Sequence, residues 1–152
     1  MEKRLLIVYH SQSGTTAALA AAVRRGALCE AGVSVNFMRA WDAGSDDLLA
    51  CDGLLLGLAE NSGTMAGGMK DFLDRTFYPV EGRILSLPYA IFISAGNDGS
   101  GALRAIHRIA GGYPFREVQE PLIVQGDIHE QHLQQAEELG MTLAAGLDAG
   151  IY

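Results

Sequence analysis

Leu5-Leu6-Ile7-Val8-Tyr9-His10-Ser11-Gln12-Ser13-Gly14-Thr15-Thr16 decides how the rest of the chain is read. An apolar run passes straight into a loop of hydroxyl side chains and one glycine. An alanine-rich helical stretch, Thr16–Ala31, follows. Strand, loop and helix in that order open a βαβ unit and put the loop at a helix N-terminus. Free backbone N–H groups and the positive end of the helix dipole favour an anion there. Ser11, Ser13, Thr15 and Thr16 add neutral O–H donors, and Gly14 lets the backbone come close. The loop has no Lys or Arg, so it reads as a cradle for a phosphate that is held and not transferred. A nucleoside-triphosphate loop would carry Gly-Lys-Ser/Thr and a metal. On the loop alone, the alternative is an ordinary Ser/Thr-rich cap that opens a helix.

Outward from this stretch, apolar runs alternate with helical patterns, which indicates a parallel sheet with helices on both faces. Strands are expected at Arg4–Tyr9, Val33–Arg39, Gly53–Leu58, Tyr89–Ser94 and Pro121–Gln125. The first helix carries Leu19, Val23 and Ala27 as an inward stripe, with Gly32 as its C-terminal cap. Trp41–Ala50 is a connection with room for a short helix. A helix over Met65–Phe77 lines up Met65, Met69, Phe72 and Thr76. Another shows Leu103, Ile106 and Ala110 and stops at Gly111-Gly112. The last shows Leu133, Ala136, Leu143 and Leu147, opened by Asp127 and Glu130 at capping-box spacing. The expected architecture is one α/β domain over residues 1–152. It is a three-layer α/β/α sandwich on a five-stranded parallel sheet of order 2-1-3-4-5. That order puts a switch point between the first and third strands. Three loops then meet at the carboxyl edge: Ser11–Thr16, Ala59–Thr64 and Ala95–Gly101.

Composition narrows the function classes. The chain has 152 residues, 49% of them hydrophobic, and a net charge of −7. That balance suits a folded globule and provides no basic footprint for nucleic acid or an anionic membrane. Cys29 and Cys51 lack metal-ligand or CxxC spacing and read as buried thiols of a reducing compartment. The N-terminal apolar run ends by His10, too short for a signal peptide or a membrane span. A cytoplasmic protein is expected.

The hydroxyl-x-hydroxyl-Gly-x-Thr order after the first strand resembles the phosphate loop of flavodoxins, which hold the phosphate of FMN. A longer stretch, Gly57-Leu58-Ala59-Glu60-Asn61-Ser62-Gly63-Thr64-Met65-Ala66-Gly67-Gly68-Met69-Lys70-Asp71-Phe72-Leu73-Asp74-Arg75-Thr76, is similar to part of a second family. This is the flavodoxin-like NAD(P)H:quinone oxidoreductases, the tryptophan-repressor-binding-protein family. Its pattern runs Gly-x-Pro-Thr-x-Phe-Gly-x-Met-x-Gly-x-Met-x-x-Phe-Leu-Asp-x-Thr. Gly57, Gly63, Met65, Gly67, Met69, Phe72, Leu73, Asp74 and Thr76 match it. Ala59, Glu60 and Ser62 depart from it, standing where the family has Pro, Thr and an aromatic.

The resemblance implies a flavodoxin-like fold, FMN as cofactor, NAD(P)H as reductant and a quinone or similar small-molecule acceptor. A homodimer is implied as well. The FMN phosphate would lie on Ser11, Ser13, Gly14, Thr15 and Thr16. The ring would lie between Ala59, Glu60, Asn61, Ser62 and Gly63 on one side and Ala95, Gly96, Asn97, Asp98 and Gly99 on the other. Both ring faces are expected to be open unless Trp41, Tyr78, Tyr113 or a partner subunit covers one. Arg75, Arg104 and Arg108 are candidate contacts for the reductant, and His10 for a phosphate oxygen. No protein side chain is expected to be catalytic, and no metal is expected. Two other readings remain: an electron carrier of the flavodoxin type serving a redox partner protein, and a flavodoxin-like binding module without flavin.

Overall fold

The computed structural model describes residues 2–152. In chain order the elements are β1 (Lys3–Tyr9), α1 (Thr15–Ala27), β2 (Val33–Arg39), α2 (Ser45–Ala50), β3 (Gly53–Asn61), β4 (Thr64–Met65), α3 (Gly67–Val80), β5 (Leu87–Ala95), α4 (Ser100–Gly112), β6 (Phe115–Glu117), β7 (Leu122–Gln125) and α5 (Glu130–Asp148). The main strands pair in parallel in the order β2-β1-β3-β5. The position beyond β5 is shared: β6 pairs with Leu87–Tyr89 and β7 with Phe92–Ala95. The fold is therefore the expected flavodoxin-like sandwich of order 2-1-3-4-5, with its fifth strand in two pieces. The sequence reading found only β7, because Phe115-Arg116-Glu117 is short and carries two charges.

The two-residue period of a strand explains the layers. Leu6 and Val8 of β1, Leu54, Leu56 and Leu58 of β3, and Ile91 and Ile93 of β5 are buried on the face covered by α2, α3 and α4. Leu5, Ile7, Leu55, Ala90 and Phe92 are buried on the other face with α1 and α5. All nine residues of β5 are buried, as a strand covered on both sides requires.

α1 and α5 cross with their backbones in contact. A Cβ built on Gly26 would lie 1.8 Å from the Glu137 carbonyl oxygen, and one on Gly140 would lie 1.9 Å from the Val23 carbonyl oxygen. Two glycines, one per helix, make this approach sterically open.

Several boundaries differ from the sequence reading. α1 ends at Ala27, four residues early, and Gly32 is not its cap. Gly32 lies against the exposed Asp148 carboxylate, which a Cβ there would displace. Cys29 lies just beyond this helix end, off the inward stripe, and is exposed, and Cys51 is only partly buried. The segment Ala59–Thr64, read as a loop, continues β3 to Asn61 and turns back through Ser62 and Gly63 into β4. Both turn residues have positive φ, 51° and 77°, as a two-residue hairpin turn of this hand demands. Asp127 and Glu130 form no capping box. α5 starts at Glu130, and the His129 N–H donates to His132 Nδ1 at 2.9 Å.

Tyr113 was a candidate cover for the ring site, but it lies in the core, 2% exposed. Its hydroxyl lies 2.6 Å from the Leu73 carbonyl and 2.7 Å from Thr76 Oγ1, which lies 2.9 Å from the Phe72 carbonyl, so two hydroxyl protons serve three contacts. Burial pushes the Tyr113 phenol up to about 12. The contact explains Thr76, the last residue of the matched stretch, as structural. Tyr113→Phe is expected to lower unfolding free energy by ~1–1.5 kcal/mol, as for a buried hydrogen bond lost without a new cavity. Urea denaturation measures this, and an unchanged midpoint would show that the bond contributes nothing net.

Candidate functional site

The strand order brings the loops after β1, β3 and β5 to the carboxyl edge of the sheet, beside the switch point between β1 and β3. The first loop is shaped by Ser11 and Gly14. The Gly14 N–H donates to Ser11 Oγ at 3.1 Å, and Gly14 takes φ 103°. The Ser11 hydroxyl thus holds the loop in shape. The first intrahelical bond of α1 runs from the Ala18 N–H to the Gly14 carbonyl at 3.0 Å. The N–H groups of Thr15, Thr16 and Ala17 precede it and have no helical acceptor. No side chain caps this helix, and no acidic residue stands in its first turn.

Thr16 differs from its neighbours. It is 2% exposed, and its Oγ1 shares a buried hydrogen bond with Ser94 Oγ at 2.7 Å. Its hydroxyl ties the start of α1 to the end of β5. Ser13 and Thr15 line the loop's concavity.

A cleft of about 300 Å³ lies between the loops, lined by Ser13, Thr15, Ala59, Glu60, Ser94, Ala95, Gly96 and Gly126. A second hollow of about 390 Å³ shares Ser13, Thr15 and Gly126 and adds Gly14, Ala18, Asp127 and Ile128. The shared walls make one continuous trough, from the start of α1 to the gap between the β3–β4 hairpin and the loop after β5. Each part falls in the lower range of small-molecule sites, ~300–1,000 Å³. Ala59, Ala95 and Gly96 present nothing larger than a methyl, so the gap is an open slot.

Asn61, Ser62 and Gly63 sit at the exposed hairpin tip, and Asn97 and Asp98 are exposed beyond the slot. The Asp98 carboxylate accepts from the Ser100 N–H at 3.0 Å and from its hydroxyl at 2.7 Å. These two bonds hold its carboxyl below the usual carboxylate range. Gly99, φ 75°, forms the N-cap of α4, where a Cβ would press on Ile123 at 2.8 Å.

Glu60 is half-buried. Its Oε2 accepts the N–H groups of Gly101 at 2.9 Å and Ala102 at 3.2 Å, in the first turn of α4. Sequence reasoning missed Ser94 and the wall formed by Gly126, Asp127 and Ile128. The signal for Gly126 was available: a glycine directly after an apolar run, here with φ 79° and its N–H on the Ala95 carbonyl at 2.8 Å.

Other candidates lie elsewhere. His10 packs on α3, where a Gly68 Cβ would meet its Nδ1 at 2.3 Å, and meets Trp41 edge-on at 5.3 Å. Arg75 is committed to Asp71 at 2.7 Å and to the Ala40 and Ala43 carbonyls. Arg104 and Arg108 are exposed on α4 and pair with no carboxylate among the described residues. A cavity of similar size, about 290 Å³, lies between β1, β2 and α2, lined by Arg4, Ser34, Asn36, Asp47 and Cys51. It is remote from the loop edge, and burial pushes the Cys51 thiol up to about 12, so no thiolate nucleophile stands there. Among the described residues no cluster of three or more His, Cys, Asp or Glu is placed to hold a metal, and no helix is long and apolar enough to cross a membrane.

No family model matches the chain. It is 30% identical over 119 residues to an NAD(P)H dehydrogenase (quinone) of Acidithiobacillus ferrooxidans, an alignment covering 64% of this chain and 60% of that one. It is 31% identical over 98 residues to a flavodoxin of Aquifex aeolicus, covering 64% of this chain and 53% of that one. The matched segments span little more than half the length of these curated relatives. Among solved structures, a flavodoxin from the domain Archaea superposes with a TM-score of 0.81 at 23% identity, covering 95% of this chain and 98% of that chain. The fold is flavodoxin-like, and the sequence is related to proteins of both names.

Proposed function

We propose that this flavodoxin-like chain is a flavoprotein that holds FMN in the trough at the carboxyl edge and passes electrons from NAD(P)H to a quinone or similar acceptor. One observation carries the reading: a helix N-terminus with unpartnered N–H groups and no acid opens directly into a slot between two loops. The relatives named flavodoxin and NAD(P)H dehydrogenase (quinone) support it.

The residues fit the cofactor. The backbone N–H groups of Thr15, Thr16 and Ala17 would take the phosphate, with the hydroxyls of Ser13 and Thr15 beside them. Such charge-assisted bonds contribute ~1.5–3 kcal/mol each. Ala59 and the Ala95–Gly96 segment would flank the ring. Bound FMN supplies two-electron redox chemistry, and the protein supplies binding and orientation. Ser11 and Gly14 keep the loop in shape, and Thr16 and Ser94 join the phosphate end to the ring end. No aromatic residue lines the slot: Tyr113 is in the core, Trp41 lies against His10, and Tyr78 is exposed beside Phe77. An open slot leaves room for a nicotinamide and then an acceptor, which a carrier that only meets partner proteins does not need. Transfer in such a site depends mostly on positioning.

Anaerobic mixing tests the reading. FMN added to the purified chain is expected to bind with a shifted visible spectrum. NADH or NADPH should then bleach the flavin band, and a quinone should restore it. Bleaching by dithionite but by neither nucleotide would replace the enzyme with an electron carrier. Absence of FMN binding would leave a flavodoxin-like binding module.

A further inference from the structure

We propose that Glu60 is a positioning residue that locks the two ring-flanking loops together and fixes a negative charge beside the ring site. The charge half of this rests on the FMN reading above. Glu60 ends the cleft-lining part of β3, yet its carboxylate reaches 41 residues along the chain to the Gly101 N–H and 42 to the Ala102 N–H. The β3–β4 hairpin is seated directly on the same helix start. A Cβ on Gly101 would lie 1.8 Å from the Gly63 carbonyl oxygen and 3.2 Å from Glu60 Oε2.

The N–H groups of the first turn of α4 are then fully accounted for. Ser100 donates to Asp98, Gly101 and Ala102 donate to Glu60, and Leu103 donates to the Gly99 carbonyl at 3.1 Å. α1 offers the contrast: its first-turn N–H groups have no such partner, so its anion position is open while that of α4 is filled by the protein's own carboxylate. The hairpin cannot swing away from the loop after β5 without breaking two charge-assisted hydrogen bonds.

Glu60 is itself one of the residues that line the slot. Reduction adds negative charge to a flavin, and a fixed carboxylate beside it opposes that step; the dipole of α4 offsets part of this opposition. Glu60→Gln separates the two roles, because its amide oxygen still accepts both N–H groups while the charge is gone. Glu60→Ala removes both.

Two measurements test the proposal. In the FMN-free protein, amide exchange at Gly101 and Ala102 is expected to quicken at least tenfold in Glu60→Ala and to stay within about threefold in Glu60→Gln. Unchanged protection in Glu60→Ala overturns the lock. In the FMN-loaded protein, Glu60→Gln is expected to favour the reduced flavin about tenfold, an upward midpoint shift of ~30 mV for a two-electron couple. A midpoint that stays or falls overturns the charge role. A wild-type chain that takes up no FMN overturns the charge role together with the FMN reading, and amide exchange then decides the lock alone.

Discussion

Thr15→Asp is expected to stabilise the cofactor-free protein and nearly abolish FMN binding. A carboxylate in the first turn of α1 meets open N–H groups and the positive end of the dipole, where it contributes ~0.3–1 kcal/mol. At this chain length that raises the melting temperature by up to about 3 °C. The same carboxylate occupies the place assigned to the phosphate. Two unit charges ~5 Å apart at an effective dielectric near 20 repel by about 3 kcal/mol, which is over a hundredfold in affinity. Riboflavin has no phosphate and should lose less than about threefold. Titrations of both flavins beside a thermal melt give all three numbers. A stabilised variant that still binds FMN normally would mean that the loop is a plain helix cap and the phosphate lies elsewhere. Ser13→Ala should weaken FMN by about tenfold through one lost donor. Thr16→Ala should act through the loss of its bond to Ser94, so it should weaken riboflavin as well.

Gly140→Ala is expected to be strongly destabilising although it adds a single methyl group. Alanine is a better helix former than glycine by ~1 kcal/mol, so on an isolated helix the change would stabilise. In the folded protein the new Cβ points into the Val23 carbonyl. The helices must part, and every contact along the crossing loosens. Overpacking of this kind costs ~1–3 kcal/mol or more, and contact with rigid backbone puts it at the upper end. After the helix-propensity gain is subtracted, a net loss of about 2 kcal/mol corresponds to a fall of ~4–8 °C in melting temperature. Gly26→Ala should behave alike, and the double variant should cost less than the two singles added, because helices already apart accept the second methyl more easily. A Gly140→Ala protein as stable as the parent would show that the helices can separate without loss.

Much of this architecture was legible in the residues because it follows from periodicity. The alternation of Leu5, Ile7 against Leu6, Val8 assigns β1 to a sheet covered on both faces, and the glycine- and hydroxyl-rich loops mark the edge where the strands end. What stayed hidden depends on contacts distant in sequence. Gly32 looked like a helix cap, but α1 ends at Ala27 and Gly32 instead lies against Asp148, a neighbour that no local pattern reveals. Glu60 looked like a loop carboxylate free to face a ring or solvent, and its partners are amides of a helix start 41 residues on. Tyr113 looked like an available aromatic until Thr76 and the Leu73 carbonyl claimed its hydroxyl. β6 escaped because Arg116 and Glu117 interrupt any apolar run. The place of the first loop at a helix N-terminus was readable, whereas the positive φ of Gly14 and the bond from its N–H to Ser11 were not.

The crossing of α1 and α5 also bears on how the chain reaches its native state. Arg25 and Glu137 meet there across 112 residues of intervening chain. α1 precedes most of the sheet in chain order, yet it packs closely on α5, which follows all seven strands. Until that helix arrives, the apolar stripe of Leu19, Val23 and Ala27 has only one face of the sheet to rest on. Closing so long a loop costs entropy before any contact returns it, so topology of this kind slows folding. During that interval the exposed stripe is the surface a chaperone would bind, and the one through which incomplete chains would aggregate.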